Sequence, residues 1–366
     1  MNTRILRLKE TMKSNNIGIL TVIPGNSFFY LTGMRIYLHG RPIIFFINAN
    51  GKDAFLMPEL EIPSAKAAMG EEDLDYFTYT DQKGYKGAME DLSKHLSLSS
   101  SIIGMEYQNM RVFEENIIKE ATRNVVFEDV QLLLERQKNI KASDEIANIK
   151  EAARITDQAL EVAIKSIRPG VTENQVLNEL MIQLLRFGGQ EPFKVQIVVS
   201  GTRSAFPHSK ASDQVIQDGD IVMIDTGATY KGYPCDLTRT FALGHIDGEM
   251  SEVYEIVKNA NAAVVKGYKP SMTAESVDRL ARSVIESAGY GEYFIHRTGH
   301  GLGIGGHEGL SIVEGNKTVL KPGMVFTDEP GIYIPGKGGV RIEDNVLVTP
   351  DGLEVLTGFS RDLMVL

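Results

Sequence analysis

The sequence has little cysteine and no long apolar run. Cys235 is the single cysteine among 366 residues, which excludes an internal disulfide and is typical of the reducing cytoplasm. No segment approaches the roughly 18 consecutive apolar residues of a membrane span. Basic side chains interrupt the apolar positions of the N-terminal segment, so we expect no signal peptide. With the single cysteine and the lack of an apolar span, we expect a cytoplasmic location and no membrane partner.

Basic residues are also fewer than acidic residues. The 38 Lys and Arg residues against 48 Asp and Glu residues give a net charge of −10. This balance disfavours nucleic acid or an anionic membrane as a partner, because both reward clustered positive charge. An apolar content of 43% with 23% charged residues is that of an ordinary globular protein. The length predicts about two domains, each able to bury its own core.

The N-terminal part of the chain alternates between helical and strand patterns. Ile5, Leu8 and Met12 share one face of a predicted helix. The turn sequence NANG joins two apolar runs as a hairpin would. Further helical patterns cover residues 83–97 and 109–121. We therefore predict an α/β domain here.

The pattern changes after residue 132. Ser143, followed by two acidic residues, is a predicted helix N-cap, and Thr172 is another. Pairs of helices followed by pairs of strands, twice over, predict an α+β domain with a duplicated half. The predicted domains cover residues 1–132 and 133–366, and the four helices of the second cover 143–168, 172–189, 251–267 and 273–288.

Residues 221–241, IVMIDTGATYKGYPCDLTRTF, permit several interpretations. Asp225 begins an Asp-Thr-Gly, as in aspartic proteases, but that chemistry needs two such aspartates sharing one proton. No second Asp-Thr-Gly or Asp-Ser-Gly occurs in the chain. Cys235 as a nucleophile is a further hypothesis, although one cysteine beside a proline in a strand favours a packing role.

The segment GLGIGG, residues 301–306, satisfies the dinucleotide-binding pattern GxGxxG. That fingerprint must follow a strand and open a helix. Gly315 and Pro322 interrupt the following residues, so they cannot supply a long crossover helix. The sequence therefore disfavours a dinucleotide site.

The spacing between Asp225 and Asp236 favours a metal site. Side chains alternate along a strand, and a hairpin centred at Tyr230-Lys231 makes the two aspartates cross-strand neighbours, give or take one residue. Their Cβ atoms would then lie about 4.5–5.5 Å apart. Two carboxylates so close in a half-buried sheet repel each other, so one must stay protonated or a cation must lie between them.

Further hard ligands follow downstream, each between apolar runs and glycine turns. Arg341 and Glu343 alternate with apolar residues, so both share one face of a predicted strand, and buried charges at such a face need partners. For any one such residue, an edge strand with a solvated polar face is the alternative. The candidate ligands in this part are His296, His300, Glu329 and Glu343.

Four motifs in this order resemble those of the creatinase/prolidase/methionine aminopeptidase family of metallopeptidases, whose catalytic domain has the pita-bread fold. They are SGTRSAFPHSK, VMIDTGATYKGYPCDLTRTF, HRTGHGLGIGGHEG and TDEPGIYIPGKGGVRIED. The strongest resemblance is to Xaa-Pro dipeptidases and Xaa-Pro aminopeptidases. It extends to NSFFYLTGM in the N-terminal part, which implies a creatinase-type N-terminal domain.

The resemblance implies a dinuclear site with Asp236 and Glu343 bridging the ions. The implied ligands are Asp225, Asp236, His300, Glu329 and Glu343. Oxygen-rich sites with one imidazole suit Mn²⁺, Co²⁺ or Zn²⁺, of which we expect Mn²⁺. A hydroxide between the ions would attack the scissile carbonyl, and Glu329 would act as general base and then acid.

The resemblance also implies substrate-binding groups around this site. His208, His296 and His307 match histidines that bind substrate and stabilise the intermediate, with support of the ligands or loop capping as the alternatives. Arg341 matches an arginine near the proline carboxylate, and a salt bridge to a ligand aspartate is its alternative. The chain departs from the family pattern at Gly309, Leu310 and Ala228, so we expect a differently shaped proline-side pocket.

These features predict hydrolysis of the Xaa-Pro bond at a free N-terminus. A dipeptidase acting on Xaa-Pro dipeptides is the leading prediction, and an aminopeptidase acting on longer peptides is the alternative. Creatinase activity is disfavoured because that enzyme lacks the metal ligands that this chain retains. The same ligand set disfavours a non-catalytic binding protein, and the N-terminal domain disfavours a methionine aminopeptidase. The family also implies a homodimer.

Overall fold

The computed structural model describes residues 2–70, 73–99, 101–192 and 196–366. The chain forms two compact units, Met1–Gln137 and Lys138–Leu366. This division and the predicted boundary at residue 132 both fall within one helix, Gln131–Asn139.

The N-terminal unit is an α/β layer, as predicted. Its six-stranded mixed sheet has the order β4-β3-β2-β1-β5-β6. The predicted N-terminal helix is present, and its apolar face is completely buried at Ile5, Leu8 and Met12. The predicted NANG hairpin joins β2 and β3, which pair antiparallel. The elements are α1 (Thr3–Ser14), β1 (Ile19–Val22), α2 (Asn26–Thr32), β2 (Ile44–Asn48), β3 (Asp53–Pro58), α3 (Ile62–Met69), β4 (Leu74–Tyr79), α4 (Lys86–His95), β5 (Ile102–Met105), α5 (Val112–Ala121) and β6 (Val126–Asp129).

The C-terminal unit has an α+β architecture, again as predicted. Antiparallel strands form a three-stranded sheet, β12-β9-β8, and a five-stranded sheet, β14-β13-β15-β18-β19. Smaller sheets join β11-β10-β7 and β16-β17. The helices are α6 (Gln131–Asn139), which crosses the division, α7 (Ser143–Ala163), α8 (Glu173–Arg186), α9 (Gly248–Gly267) and α10 (Ala274–Ser287). The strands are β7 (Glu191–Pro192), β8 (Ile197–Ser200), β9 (Ile221–Thr226), β10 (Ala228–Tyr230), β11 (Tyr233–Pro234), β12 (Leu237–Ala242), β13 (Gly299–Gly303), β14 (Gly306–Ile312), β15 (Val325–Asp328), β16 (Gly331–Ile334), β17 (Gly338–Arg341), β18 (Asp344–Val348) and β19 (Leu353–Val355).

This unit contains the predicted repeat of a helix pair followed by strands. Helices α7 and α8 precede β7–β12, and helices α9 and α10 precede β13–β19. Thr172 and Thr273 cap α8 and α10 in the same way, since each hydroxyl accepts a hydrogen bond from a backbone N–H three residues on. Each half has its own apolar cluster against its helix pair. We name the two parts the first half (138–247) and the second half (248–366).

One predicted helix start was wrong by a residue. Ser143 is the first helical residue and not the N-cap. The side chain of Glu145 reaches back and accepts a hydrogen bond from the N–H of Ala142, so the acidic first turn itself satisfies the helix end.

Among the described residues, no helix has the length and apolarity needed to cross a membrane.

Candidate metal centre

The first two candidate ligands lie on one hairpin of the first half. Strands β9 and β12 pair antiparallel, with Asp225 opposite Thr238. The chain turns at Lys231-Gly232, where both residues have positive φ, as the two-residue turns of hairpins require. The predicted hairpin centre at Tyr230-Lys231 was therefore wrong by one residue. Asp236 shares a face with Asp225 but lies diagonal to it rather than directly opposite.

The third candidate, His300, lies on strand β13. Its N–H donates to the Thr327 hydroxyl at 3.0 Å. The preceding position must be glycine, since a Cβ on Gly299 would lie 1.7 Å from the carbonyl oxygen of Thr327. The segment GLGIGG contains the end of β13, the turn at Ile304-Gly305 and the first residue of β14. It has strands on both sides and opens no helix, which confirms that it is no dinucleotide fingerprint.

The two candidate glutamates, Glu329 and Glu343, lie at the ends of strands of the second half. Glu329 comes directly after β15, and its Oε1 accepts a hydrogen bond from the Thr327 hydroxyl at 2.9 Å. Glu343 lies between β17 and β18, and its backbone forms an antiparallel β-bridge with Thr238 of the first half. The hydroxyl of Thr238 donates to Glu343 Oε2 at 2.6 Å. Strands from both halves therefore hold the five candidates.

The five side chains converge on one point. His300 Nε2 lies 3.5 Å from Asp236 Oδ2 and 3.6 Å from Glu329 Oε1. The possible ligand atoms lie within 4.8 Å of one another in two overlapping groups, and the groups share Glu343. They are His300, Glu329 and Glu343, and Asp225, Asp236 and Glu343. A third such group joins Asp236 and His300 with His307.

The electrostatics of this cluster call for positive charge. Burial raises the pKa of Asp236 well above its usual range, and the charges of Asp225 and Glu329 add to the effect. Burial likewise raises the pKa of Glu343 well above its usual range, and the charges of Asp236 and Glu329 add to the effect. Burial also acts to raise the pKa of Glu329, but His300, His296 and Arg341 outweigh it and the pKa is lowered. Oδ1 of Asp225 is buried without a hydrogen-bond partner. Divalent cations would stabilise all these carboxylates in their charged form.

Arg341 occupies the wall beside these ligands. Its guanidinium pairs with Asp225 and donates to the Tyr333 hydroxyl at 2.9 Å and to Thr238 at 3.1 Å. Burial acts to raise the pKa of Asp225 and the Arg341 charge opposes it, yet the pKa stays raised. The salt bridge to a candidate ligand, one of the two predicted roles of Arg341, is thus present in the structure.

The three predicted substrate-binding histidines surround the cluster. His296 Nε2 lies 2.8 Å from the Tyr333 hydroxyl and Nδ1 lies 2.7 Å from the Arg297 carbonyl. The ring centroid of His307 is 3.7 Å from that of His300. Partial burial, with the charges of His300 and Arg297, lowers the pKa of His307 to about 4. His208 is exposed on the loop that follows β8.

One cavity of about 490 Å³ contains all nine predicted site residues. It is lined by Pro207, His208, Asp225, Asp236, His296, Arg297, His300, His307, Glu329, Arg341 and Glu343. Its size is that of a small-molecule or peptide-end pocket. The residues fit an oxygen-rich centre for hard or borderline divalent cations.

Several polar residues of this site were missed in the sequence. Thr238 and Thr327 orient the two glutamates, and Tyr333 joins His296 to Arg341. Arg297 lines the cavity and donates to Ser311 at 3.0 Å. The signal for Thr238 was present, since it alternates with Asp236 along a strand. Tyr333 had no such signal, because its contacts join residues far apart in the chain.

Cys235 is not part of the cavity lining. The residue is completely buried beside Asp236, and burial raises the pKa of its thiol well above the usual range. Nucleophilic cysteines need a lowered pKa and some exposure. This geometry supports the packing role.

Comparison with known proteins matches the two units to known sequence families. The profile of metallopeptidase family M24 matches residues 147–350, and that of the creatinase/prolidase N-terminal domain matches residues 4–140. The chain belongs to metallopeptidase family M24, and the predicted pita-bread fold is confirmed. The protein is thus a metallopeptidase.

Individual relatives cover nearly the whole chain. An uncharacterized peptidase of Staphylococcus aureus is 32% identical over 98% of this chain and 100% of its own length. The structure of an Xaa-Pro dipeptidase from Bacillus anthracis is 35% identical, with a TM-score of 0.91 over 100% of this chain and 99% of that chain. An X-Pro aminopeptidase from Thermotoga maritima is 30% identical, with a TM-score of 0.87 over 99% of each chain.

Proposed function

We propose that this metallopeptidase hydrolyses the bond between an N-terminal residue and proline, and that Xaa-Pro dipeptides are its substrates. The observation that carries the proposal is the convergence of Asp225, Asp236, His300, Glu329 and Glu343 on one cavity wall. The similarity to solved Xaa-Pro dipeptidases and prolidases supports the substrate class.

The five residues would hold two divalent ions, with Asp236 and Glu343 shared between them. When bound, such ions polarise a carbonyl, lower the pKa of water and neutralise a developing oxyanion. The ligand types suit Mn²⁺, and Co²⁺ or Zn²⁺ are alternatives. The Thr238 and Thr327 hydroxyls fix the orientation of Glu343 and Glu329, as groups around metal ligands commonly do.

Glu329 is the proposed general base and acid. Its lowered pKa keeps the carboxylate charged near neutral pH, so it can accept a proton from the attacking water. The Thr327 hydroxyl donates to Oε1 and orients the carboxylate, which would then pass the proton to the leaving nitrogen of proline. Partial exposure of this side chain, 16%, gives it access to the cavity.

The histidines and Arg341 would bind the substrate. His296 and His307 have lowered pKa values, chiefly through burial, so both rings are neutral near pH 7 and can accept or donate a hydrogen bond. His208 approaches the cavity from an exposed loop. Arg341 lines the cavity beside Asp225 and would attract the proline carboxylate.

A side-by-side assay tests the proposal. Ala-Pro, Ala-Pro-Ala and Met-Ala-Ser are offered to the metal-stripped protein with and without added Mn²⁺. We expect Mn²⁺-dependent cleavage of Ala-Pro and little cleavage of the other two. Cleavage of Ala-Pro-Ala as fast as Ala-Pro would favour the aminopeptidase alternative, which the similarity to the Thermotoga maritima enzyme supports. Absence of cleavage of any proline peptide with Mn²⁺, Co²⁺ or Zn²⁺ would contradict the proposal.

A further inference from the structure

A completely buried carboxylate lies outside the metal centre, at the start of helix α8. Glu173 has no solvent exposure, and its side chain points to the loop between β8 and β9 rather than to the cavity. We name residues 201–212 of this connection the histidine loop, since it contains His208.

Glu173 accepts hydrogen bonds from both ends of the histidine loop. Oε1 accepts from the N–H of Ser200 at 2.8 Å, directly before the loop. Oε2 accepts from the N–H and hydroxyl of Ser212 at 3.0 and 2.8 Å, at its end. One carboxylate therefore closes the base of the loop, and its place in the first turn of α8 suits a negative charge.

Arg203 extends the same network toward the tip. Its Nε lies 3.2 Å from each oxygen of Glu173, and its other end donates to the Lys210 carbonyl at 2.7 Å and to Ser209 at 3.2 Å. The tip itself has little apolar burial, since Phe206 is 62% exposed and His208 is also exposed. Polar contacts, rather than apolar packing, must therefore hold the tip in one conformation.

The inner side of the loop faces the metal centre. The Pro207 carbonyl accepts from Arg341 at 3.4 Å, and the Ser204 hydroxyl accepts from the N–H of Gly339 at 2.8 Å. His208 and Pro207 both line the cavity. The conformation of the loop thus determines where the His208 ring lies relative to the ligands.

The second half contains a comparable arrangement on its own helix. Asp278 of α10 is completely buried and accepts from the N–H and hydroxyl of Thr298 at 3.2 and 2.7 Å. Arg282 pairs with Asp278 and donates to the carbonyl of His296 at 2.9 Å. In both halves, a buried helix carboxylate with an arginine partner fixes a segment that presents a histidine to the cavity.

We propose that Glu173 is a positioning residue, whose buried carboxylate closes the histidine loop and thereby holds His208 at the cavity wall. Glutamine at this position would keep the shape but replace one acceptor oxygen by a donor. That amide would meet the N–H of Ser200 or Ser212, so two donors would face each other and a buried group would lose its partner. The catalytic part of the proposal rests on the proposed function, because it takes His208 as a substrate-binding group.

Hydrogen–deuterium exchange on the full-length, Mn²⁺-loaded protein tests the structural part. We expect amides of residues 201–212 to exchange about tenfold faster in Glu173→Gln, while residues 294–298 keep their wild-type rates. The matched control is Glu114→Gln, which removes another completely buried carboxylate paired with an arginine, in the N-terminal unit. It should leave 201–212 unchanged. Wild-type protection of these amides in Glu173→Gln overturns the proposal, whatever the activity.

A double-mutant cycle on Ala-Pro hydrolysis tests the route through His208. We expect Glu173→Gln to lower kcat/KM about tenfold, in the same parameter, kcat or KM, that His208→Ala changes. In the His208→Ala background, Glu173→Gln should change kcat/KM by less than about twofold. The full tenfold loss in that background overturns the proposal. If the wild-type protein cleaves no proline peptide, the proposed function fails, and the exchange measurement still decides whether Glu173 closes the loop.

If Glu173→Gln does not fold, the variant Arg203→Gln tests the same network. Its side chain is 32% exposed, so the position tolerates a polar substitution. It removes the ion pair with Glu173 and the hydrogen bonds to Ser209 and Lys210. The hydrogen bonds from Ser200 and Ser212 to Glu173 stay in place. We expect faster exchange over residues 203–210 and a smaller loss of kcat/KM. Unchanged exchange there overturns the proposal too.

Discussion

Buried carboxylates with a cation beside them in the N-terminal unit contrast with the clustered carboxylates of the candidate metal centre in the C-terminal unit. In the N-terminal unit, Glu114 pairs with Arg111, with Nε 2.8 Å from Oε2, and Asp53 lies 2.8 Å from the Lys9 ammonium. Each of these two buried acids has a cation beside it. In the C-terminal unit, four carboxylates line a single cavity together with two guanidiniums, and the pKa values of Asp236 and Glu343 are raised by burial and by their acidic neighbours.

Buried acids that pair with a cation stabilise the fold, whereas the clustered acids at the cavity are suited to bind a ligand. A paired buried acid is compensated within the chain, whereas a cluster of buried acids with too few cations is costly until further positive charge arrives. At the candidate metal centre, this cost coincides with a cavity that carboxylates from both halves line. Divalent ions are the simplest source of the missing charge, which agrees with membership of a metallopeptidase family.

The largest expected effect comes from removing a shared candidate ligand. Asp236→Ala should lower kcat/KM for Ala-Pro by more than about 10³-fold, because a lost ligand removes several kcal/mol of transition-state stabilisation. Steady-state kinetics with saturating Mn²⁺ measures this loss, and metal analysis of the same sample should show less bound ion. Hydrolysis at the wild-type rate would show that Asp236 holds no essential metal.

The N-terminal unit should respond to a similar change in stability alone. Glu114→Gln removes the charge that pairs with Arg111, and we expect a loss of about 2 kcal/mol in unfolding free energy because hydrogen bonds to charged groups are worth roughly that much. Chemical denaturation measures the loss. The kcat/KM for Ala-Pro should stay within about twofold of wild type. A large fall in activity at unchanged stability would break the contrast between the units.

Much of this contrast was predictable from the sequence. The candidate ligands follow strands of alternating pattern, so their residue types and faces could be predicted, and their roles came from the family resemblance. The exact register of Asp225 and Asp236 was not predictable, because a shift of the turn by one residue moves every cross-strand pair. The role of Glu173 was also hidden, since a glutamate at N1 of a helix suits the helix dipole whether or not it binds a distant loop.

In the metal-free protein, we expect the removal of a clustered carboxylate to raise stability, whereas the removal of Glu114 lowers it. A carboxyl group whose folded pKa is raised stabilises the fold at low pH, and that stability is lost as pH rises from about 4 through the raised pKa. Glu343→Gln removes one such group, since burial and the charge of Asp236 raise the pKa of Glu343. We therefore expect metal-free Glu343→Gln to be more stable than metal-free wild type at pH 7, by about 1 kcal/mol or more, with the gap closing near pH 4.

Thermal unfolding in a chelator across this pH range measures the gap. Added Mn²⁺ should reverse the order at pH 7, because wild type gains more from binding. A metal-free Glu343→Gln protein that is less stable than wild type at pH 7 would contradict the proposed repulsion.

The smallest effect is expected at Cys235. Its thiol is buried and has a raised pKa, so Cys235→Ala should cost about 1 kcal/mol of stability through lost packing and change kcat/KM by less than about twofold. Denaturation and the Ala-Pro assay measure both. Loss of activity without loss of stability would revive the nucleophile hypothesis.

The central claim is that the carboxylate cluster exists to hold two divalent ions. Isothermal titration of metal-stripped protein with Mn²⁺ tests it most directly, with Asp236→Ala titrated in parallel. The proposal predicts two ions per wild-type chain and fewer in the variant, with Ala-Pro hydrolysis appearing as the sites fill. Absence of Mn²⁺, Co²⁺ and Zn²⁺ binding, together with hydrolysis that a chelator leaves unchanged, would contradict it.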